Sequence, residues 1–196
     1  MNGGSNKAAG KKHGIYLVGF SGTGKSTIAR LIAGKMSCPA FDLDQLIVEA
    51  SGMPIPLIFE REGEEGFRRR ESEALRTVSS QEVFVVATGG GAVLREENRR
   101  LMSAHGWIVC LEGRPETLHA RLQAQLVKES GPEAVRPLLD APNAEDDPLE
   151  KLRTLKQSRQ SIYALADWTV HTDRLTPEQV AAEVVRAVEL LESSGK

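Results

Sequence analysis

The sequence predicts an α/β fold, a parallel sheet covered by helices on both faces. Three observations predict it. Short apolar runs of strand length alternate along the chain with longer segments of helical periodicity. A glycine-rich segment, Gly19 to Thr27, stands directly between the first apolar run and the first helical one. The length, 196 residues, suits one domain with room for a small subdomain.

Residues 1–14, MNGGSNKAAGKKHG, are rich in Gly, Lys and Ala and read as a disordered tail. Ile15 to Val18, ended by Gly19, reads as a buried strand, and Ser26 to Lys35 as the helix after it. Pro39 to Phe41 is a weaker strand. A helical pattern follows at Glu64 to Ser79, then a strand at Val83 to Ala87 and a helix at Glu96 to Ala104. Trp107 to Leu111 and Pro115 to Leu126 repeat the strand–helix pair. Lys128 to Asp147 is polar and punctuated by Pro and Gly; a loop of that length is a functional lid or a tolerated insertion. Asp147-Pro148-Leu149-Glu150 opens a helix that runs to Leu165, and Trp168 to Val170 is a weak strand. Thr176-Pro177-Glu178-Gln179 gives the last helix an N-cap, a proline at the first position and a Gln at the third.

Charge and composition exclude several classes of function. With 25 Lys and Arg against 27 Asp and Glu, the net charge of −2 offers no basic field for nucleic acid or a membrane surface. Apolar runs such as Val83 to Ala87 fall far short of the ~20 residues that span a bilayer. The first fourteen residues carry no apolar segment of a secretory signal. Cys38 and Cys110 form neither a disulfide framework nor a metal-ligand spacing. The expectation is a cytoplasmic protein.

GFSGTGKST satisfies G-x-x-x-x-G-K-[ST] between a strand and a helix. In such a P-loop, Gly22, Thr23, Gly24 and Thr27 offer backbone amides to phosphate oxygens, and the helix start adds its dipole. Lys25 reaches the β- and γ-phosphates, and the Ser26 hydroxyl ligates Mg²⁺. Average residue usage produces this pattern in a chain of this size by chance roughly once in a hundred. A nucleoside triphosphate site with Mg²⁺ as cofactor is therefore expected, and the motif alone does not choose between a kinase, a switch and a motor.

Three later clusters point to a small acceptor. Asp42 and Asp44, at the end of the second strand, lie beside the phosphates; one can hold the Mg²⁺ water shell and the other take a proton from an attacking hydroxyl. An acidic N-cap is the competing account of this pair. In GEEGFRRRESEAL, Phe67, Glu71, Leu75 and Val78 share a helix face, and Arg68 sits beside Glu71 at i, i+3. An Arg held in this way is a bidentate receptor for a carboxylate, although such a cluster also suits a solvated helix. Thr88 is followed by Gly89, Gly90 and Gly91 at a strand's C-terminal end, where open α/β sheets bind ligands. Further on, Arg136 lies in the long loop and Arg159 on the helix after it. An Arg on a mobile segment can neutralise transition-state charge, and Arg159 can complete a carboxylate clamp with Arg68.

These residues together resemble the shikimate kinases over about residues 15 to 190: GFSGTGKST, FDLDQLI, PIPLIFEREGEEGFRRRE, TGGG, RPLL and the R-x-x-x-Y of Arg159 to Tyr163. The resemblance implies a three-layer P-loop NTPase fold with a five-stranded parallel sheet of order 2-3-1-4-5. It implies a substrate-binding subdomain at about 43–78 and a lid at about 123–147 in one domain, 15–196. It also implies phosphoryl transfer from ATP to the 3-hydroxyl of shikimate, by a monomer. Asp44 would then orient the acceptor hydroxyl, with Asp42 near the metal through water. Arg68, Arg159 and the Gly89–Gly91 backbone would hold shikimate. Ile55, Phe59, Phe67 and Pro137 would line its pocket, and Glu71 would brace it. Arg136 and Arg121 would face the phosphates, and adenine would lie near Arg174 to Pro177. Two departures stand out, a long segment around RPLL and Gln160-Ser161-Ile162 before Tyr163. A gluconate-type kinase and a ligand sensor without turnover are the alternatives.

Overall fold

The computed structural model describes residues 12–128 and 147–195. Residues 1–11 of the expected tail and 129–146 of the expected lid lie outside the described residues. Five parallel strands form one sheet in the order β2-β3-β1-β4-β5: β1 (Gly14–Val18), β2 (Ala40–Asp42), β3 (Phe84–Ala87), β4 (Gly106–Glu112) and β5 (Trp168–His171). The central strand β1 pairs Leu17 with Ala87 on one side and Val109 on the other. Every residue of β1 and β3 is buried, as in a strand covered on both faces. The edge strands β2 and β5 are short and only partly buried, so their apolar signal in the sequence is weak.

The helices are α1 (Lys25–Met36), α2 (Leu43–Ser51), α3 (Ile55–Val78), α4 (Glu96–His105), α5 (Pro115–Lys128), α6 (Pro148–Tyr163) and α7 (Pro177–Ser193). One face of the sheet buries Ile15, Leu17, Val85 and Val109 against Ile28 and Ile32 of α1 and Val184 and Val188 of α7. The other buries Tyr16, Phe84 and Val86 against Leu75 of α3, Met102 of α4, Leu118 of α5 and Tyr163 of α6. At roughly 1.5–3 kcal/mol for each large apolar side chain fully removed from water, these two layers dominate the folding energy.

Several boundaries differ from the sequence reading by a residue or two, as where β3 starts at Phe84 rather than Val83. The first strand starts at Gly14 rather than Ile15, and the chain is already engaged before it: His13 N–H donates to His105 O, and Lys12 stacks over Trp107 at 3.8 Å. Helix α2, not expected, begins straight after β2 with Asp42 as its N-cap. Helix α3 begins at Ile55 rather than Glu64, with a break at Gly63. Pro54 and Pro56 before the break, and Gly63 at it, hide the helical period in the sequence.

Because the strands are parallel, the loops after β1, β2 and β3 all emerge at one edge of the sheet. The chain moves to one side of β1 through β2 and β3 and crosses to the other through β4. The loop after β1 therefore sits at the point of reversal, where such sheets open a crevice.

Candidate active site

A cleft of about 820 Å³ opens at that edge. Its floor is the loop 19–24. Gly24 caps α1 at φ 91°, a left-handed conformation suited to glycine, and no side chain caps the helix. The first amides of α1 thus have no intrahelical acceptor and point outward, the arrangement that receives an anion. The Lys25 ammonium folds across the loop, donating to Gly19 O and Phe20 O at 2.9 Å each. Gly22, Gly24, Lys25, Ser26 and Thr27 line the cleft. Thr23 does not; its buried hydroxyl donates to Phe20 O at 2.9 Å and stiffens the loop from behind.

Asp42 divides its oxygens between two tasks. Oδ2 accepts from the Ser26 hydroxyl, and Oδ1 accepts from the amides of Asp44 (3.0 Å) and Gln45. The competing account of an acidic N-cap and the placement beside the P-loop are thus both realised, by different atoms. Asp44 lies not on the strand but in the first turn of α2, and it still lines the cleft.

The opposite wall comes from α3 and the glycine turn. Arg68, 7% exposed, donates from Nη1 to Glu71 Oε2 at 2.8 Å and from Nη2 to Glu64 Oε1 at 3.0 Å. Burial works against its charge, but Glu71 and Glu64 outweigh it and hold the guanidinium firmly protonated. A Cβ on Gly91 would lie 2.4 Å from that guanidinium, and one on Gly89 would lie 2.3 Å from Glu71 Oε1 and 3.1 Å from Asp44 Oδ1. A side chain at Gly91 would displace the Arg68 guanidinium, and one at Gly89 the Glu71 carboxyl. Thr88, the residue before them, ties the turn to β1 through Leu17 O, from its amide (3.1 Å) and its hydroxyl (3.0 Å).

Arg159 approaches from α6. It is buried, lies over the Phe20 ring at 5.7 Å, and brings Nη1 to 3.4 Å from Gly90 O. Tyr163, one turn on, donates to the same carbonyl at 2.7 Å. Ile55, Phe59 and Phe67 complete an apolar side, with the two Phe rings 4.8 Å apart. Sequence reasoning missed Phe20, Glu64 and Tyr163. Glu64 was findable as the i−4 neighbour of Arg68; the contacts of Phe20 and Tyr163 join elements far apart in sequence and carry no local signal.

Other expected residues fall elsewhere. Arg121 lines the cleft, but its guanidinium is held by Thr172, at Oγ1 (3.0 Å) and the carbonyl (2.8 Å), beside the loop that leads to α7. Arg174, on that loop, and Pro177, the first residue of α7, are exposed and do not line this cleft. Arg136 and Pro137 lie outside the described residues.

The matching family model is that of shikimate kinase, over residues 21–189. A shikimate kinase of Symbiobacterium thermophilum is 40% identical over 176 residues, 89% of this chain and 95% of the relative. One of Dechloromonas aromatica is 43% identical over 152 residues, 78% of this chain and 76% of the relative. Among solved structures, shikimate kinase from Acinetobacter baumannii in complex with shikimate superposes with a TM-score of 0.81 at 33% identity, covering 95% and 97% of the two chains. A gluconokinase from Sinorhizobium meliloti, at 16% identity and TM-score 0.55, shares the fold alone.

One group in the cleft has an unusual titration. Glu71 is fully buried, and its Oε1 has no hydrogen-bond partner among the described residues. Burial pushes its carboxyl up from 4.5 to about 7, against the pull of Arg68 and Arg159 and with added repulsion from Asp44. Between those two values the folded chain keeps a proton that the unfolded chain gives up. The stability this supplies is complete below 4.5 and is lost as pH rises through 7. Replacing Glu71 by Gln removes the titration, so the thermal midpoint of E71Q should fall less than that of the parent between about pH 5 and about pH 8. Parallel pH profiles for the two proteins would refute this assignment.

The loop on α1, the paired guanidinium and carboxylates across the glycine turn, and the similarity over most of the sequence agree: the chain belongs to the shikimate kinase family, which phosphorylates shikimate with ATP in aromatic amino-acid biosynthesis.

Proposed function

We propose that this chain transfers the γ-phosphoryl group of ATP to the 3-hydroxyl of shikimate, with one aspartate at the attacking oxygen and a guanidinium at the acceptor's carboxylate. The observation that carries this reading is the convergence of Asp44, Arg68 and Glu71 on the Gly89–Gly91 backbone, beside the loop 19–24 and in the same cleft. The triphosphate lies on that loop and the first amides of α1. Lys25 exchanges its contacts with Gly19 O and Phe20 O for phosphate oxygens. Phosphoryl transfer asks little covalent chemistry of the protein, so the residues act by position and charge.

Asp44 orients the acceptor hydroxyl and receives its proton as the new bond to the γ-phosphorus forms and the bond to the β,γ-bridging oxygen breaks, releasing ADP. Arg68, held flat by Glu71 and Glu64, presents its fork to the shikimate carboxylate, and Arg159 supplies a second cation across Gly90. Phe59 and Phe67 cover the apolar face of the ring. Glu71 braces Arg68. Arg136 and Arg121 act at the nucleotide, Arg136 from the proposed lid, and adenine lies toward the 172–177 loop that holds Arg121. The chain would work as a monomer in the cytoplasm, where ATP is supplied.

Mg²⁺ fits the residues present. Ser26 Oγ and Asp42 Oδ2 are hard oxygen donors already in contact at the cleft, the chemistry that Mg²⁺ prefers together with water and phosphate. Ser26 would hold the ion directly and Asp42 through a water, and when bound it offsets negative charge on the β- and γ-phosphates.

Purified chain should release ADP from ATP when shikimate is added, and not when gluconate replaces it. Turnover with gluconate would overturn the acceptor, and shikimate binding with no turnover would make the chain a sensor. Asp44→Asn keeps the size and removes the base. Its kcat should drop by about 10²–10⁴-fold with nucleotide affinity retained; full activity would remove Asp44 from the reaction. Arg68→Lys keeps the charge but loses the fork, so shikimate KM should rise about tenfold or more, which an unchanged KM would contradict.

A further inference from the structure

Helix α3 supplies the acceptor side of the cleft from both sides of its break. Ile55 and Phe59 come from the segment before Gly63, and Phe67, Arg68 and Glu71 from the segment after it. At Gly63 the backbone takes φ 68° and ψ −178°, a conformation essentially closed to residues with a side chain. A glycine break by itself fixes no angle between two helical segments, so something must hold them.

Ile58 and Phe67 share a buried apolar cluster across the break, to which the Phe59–Phe67 stack belongs, and two further contacts on its outer side involve Glu62. The Glu62 side chain lies back over Gly66 so tightly that a Cβ there would be 2.3 Å from Glu62 Cβ. One turn further, Arg70 grips the same carboxylate with two prongs, Nε to Oε2 at 2.9 Å and Nη2 to Oε1 at 2.7 Å. Each partner holds the other in its charged form: the Arg70 hydrogen bond lowers the Glu62 carboxyl, and Glu62 raises the Arg70 guanidinium. Neither residue lines the cleft.

We propose that Glu62, Gly66 and Arg70 form a clasp across the Gly63 break that sets the angle between the two segments of α3, and with it the spacing of Phe59 from Arg68 across the acceptor pocket. They are positioning residues for shikimate and touch no reacting atom. The clasp rests on the acceptor lying against Arg68, so Arg68→Lys serves as the control for that reading.

The test compares Arg70→Leu, Glu62→Gln, Gly66→Ala and the charge-exchanged double variant Glu62→Arg/Arg70→Glu, each by shikimate KM, ATP KM, kcat and thermal midpoint. A half-exposed ion pair is a modest device, so the single variants should raise shikimate KM by about two- to fivefold. ATP KM and kcat should stay within about twofold, and the exchanged pair should recover most of the parent's shikimate KM. If Arg68→Lys weakens shikimate and the clasp variants lower only the thermal midpoint, the clasp is structural and the proposal falls. It falls equally if all kinetic constants move together, or if the exchanged pair is no better than the singles. If Gly66→Ala does not fold, Arg70→Leu decides alone, since it changes a side chain on the outer surface. An unaltered KM in Arg68→Lys would instead refute the acceptor assignment.

Discussion

The turn Gly89-Gly90-Gly91 is pressed from three sides by charged side chains that come from different helices. Asp44 of α2 and Glu71 of α3 stand where a Cβ of Gly89 would be, and the Arg68 guanidinium stands where one of Gly91 would be. Arg159 and Tyr163 of α6 both reach the Gly90 carbonyl. Two carboxyl groups and two guanidinium groups thereby share one patch of main chain. An unpaired buried charge costs several kcal/mol, so the partner of the buried Arg68 guanidinium and the anchoring of the turn matter most. Here the partners are fixed by rigid elements. Thr88 ties the turn to β1, and the Arg68–Glu71 pair is internal to one helix. The acceptor proposed above would meet charges already in place, and little of its binding energy would go into ordering them.

Economy of atoms is a second theme. Asp42 caps α2 with one oxygen and contacts Ser26 with the other, so the start of the helix carrying Asp44 is fixed by the same group that faces the P-loop hydroxyl. The proposed base and the proposed metal ligands cannot drift independently. The same holds on α6. Lys156 pairs with Glu112 at the end of β4, one turn before Arg159, and both side chains are largely buried. The pair pins the helix to the sheet at the point from which Arg159 must reach. Misplacing a positioned charge by an ångström costs far more in rate than the weak pairwise energies suggest, which is why these anchors matter.

Local chemistry made much of this readable. The loop at Gly19 to Thr27 needs a fixed spacing of glycine, lysine and serine, and the Arg68–Glu71 pair falls at a helical interval, so both are written in consecutive residues. The alternation of strands and helices is equally local, while the sheet order came through the family resemblance. Three things were not readable. The helix at Leu43–Ser51 and the front of α3 are short and interrupted by Gly52, Pro54, Pro56 and Gly63, so no window holds enough of the 3.6-residue period. Thr23 belongs to the phosphate motif yet turns its side chain inward, because the left-handed glycines around it reverse the chain. Tyr163 meets Gly90 across 73 residues, a contact that only the packed sheet creates.

The break in α3 shows how such interruptions matter. A continuous helix from Ile55 to Val78 would point Phe59 and Phe67 along one axis, eight residues and more than two turns apart. Folding the chain at Gly63 instead brings their rings to 4.8 Å and turns a rod into a hollow that can close on a ring. The conformational freedom of glycine costs about 1 kcal/mol relative to alanine in a regular helix, but at this break it is what the backbone requires. In exchange the apolar wall of Phe59 and Phe67 and the Arg68 guanidinium, the proposed carboxylate receptor, sit on one element and close in sequence. Selection for acceptor shape can then act on a stretch of under twenty residues without disturbing the nucleotide loop on the other side of the cleft.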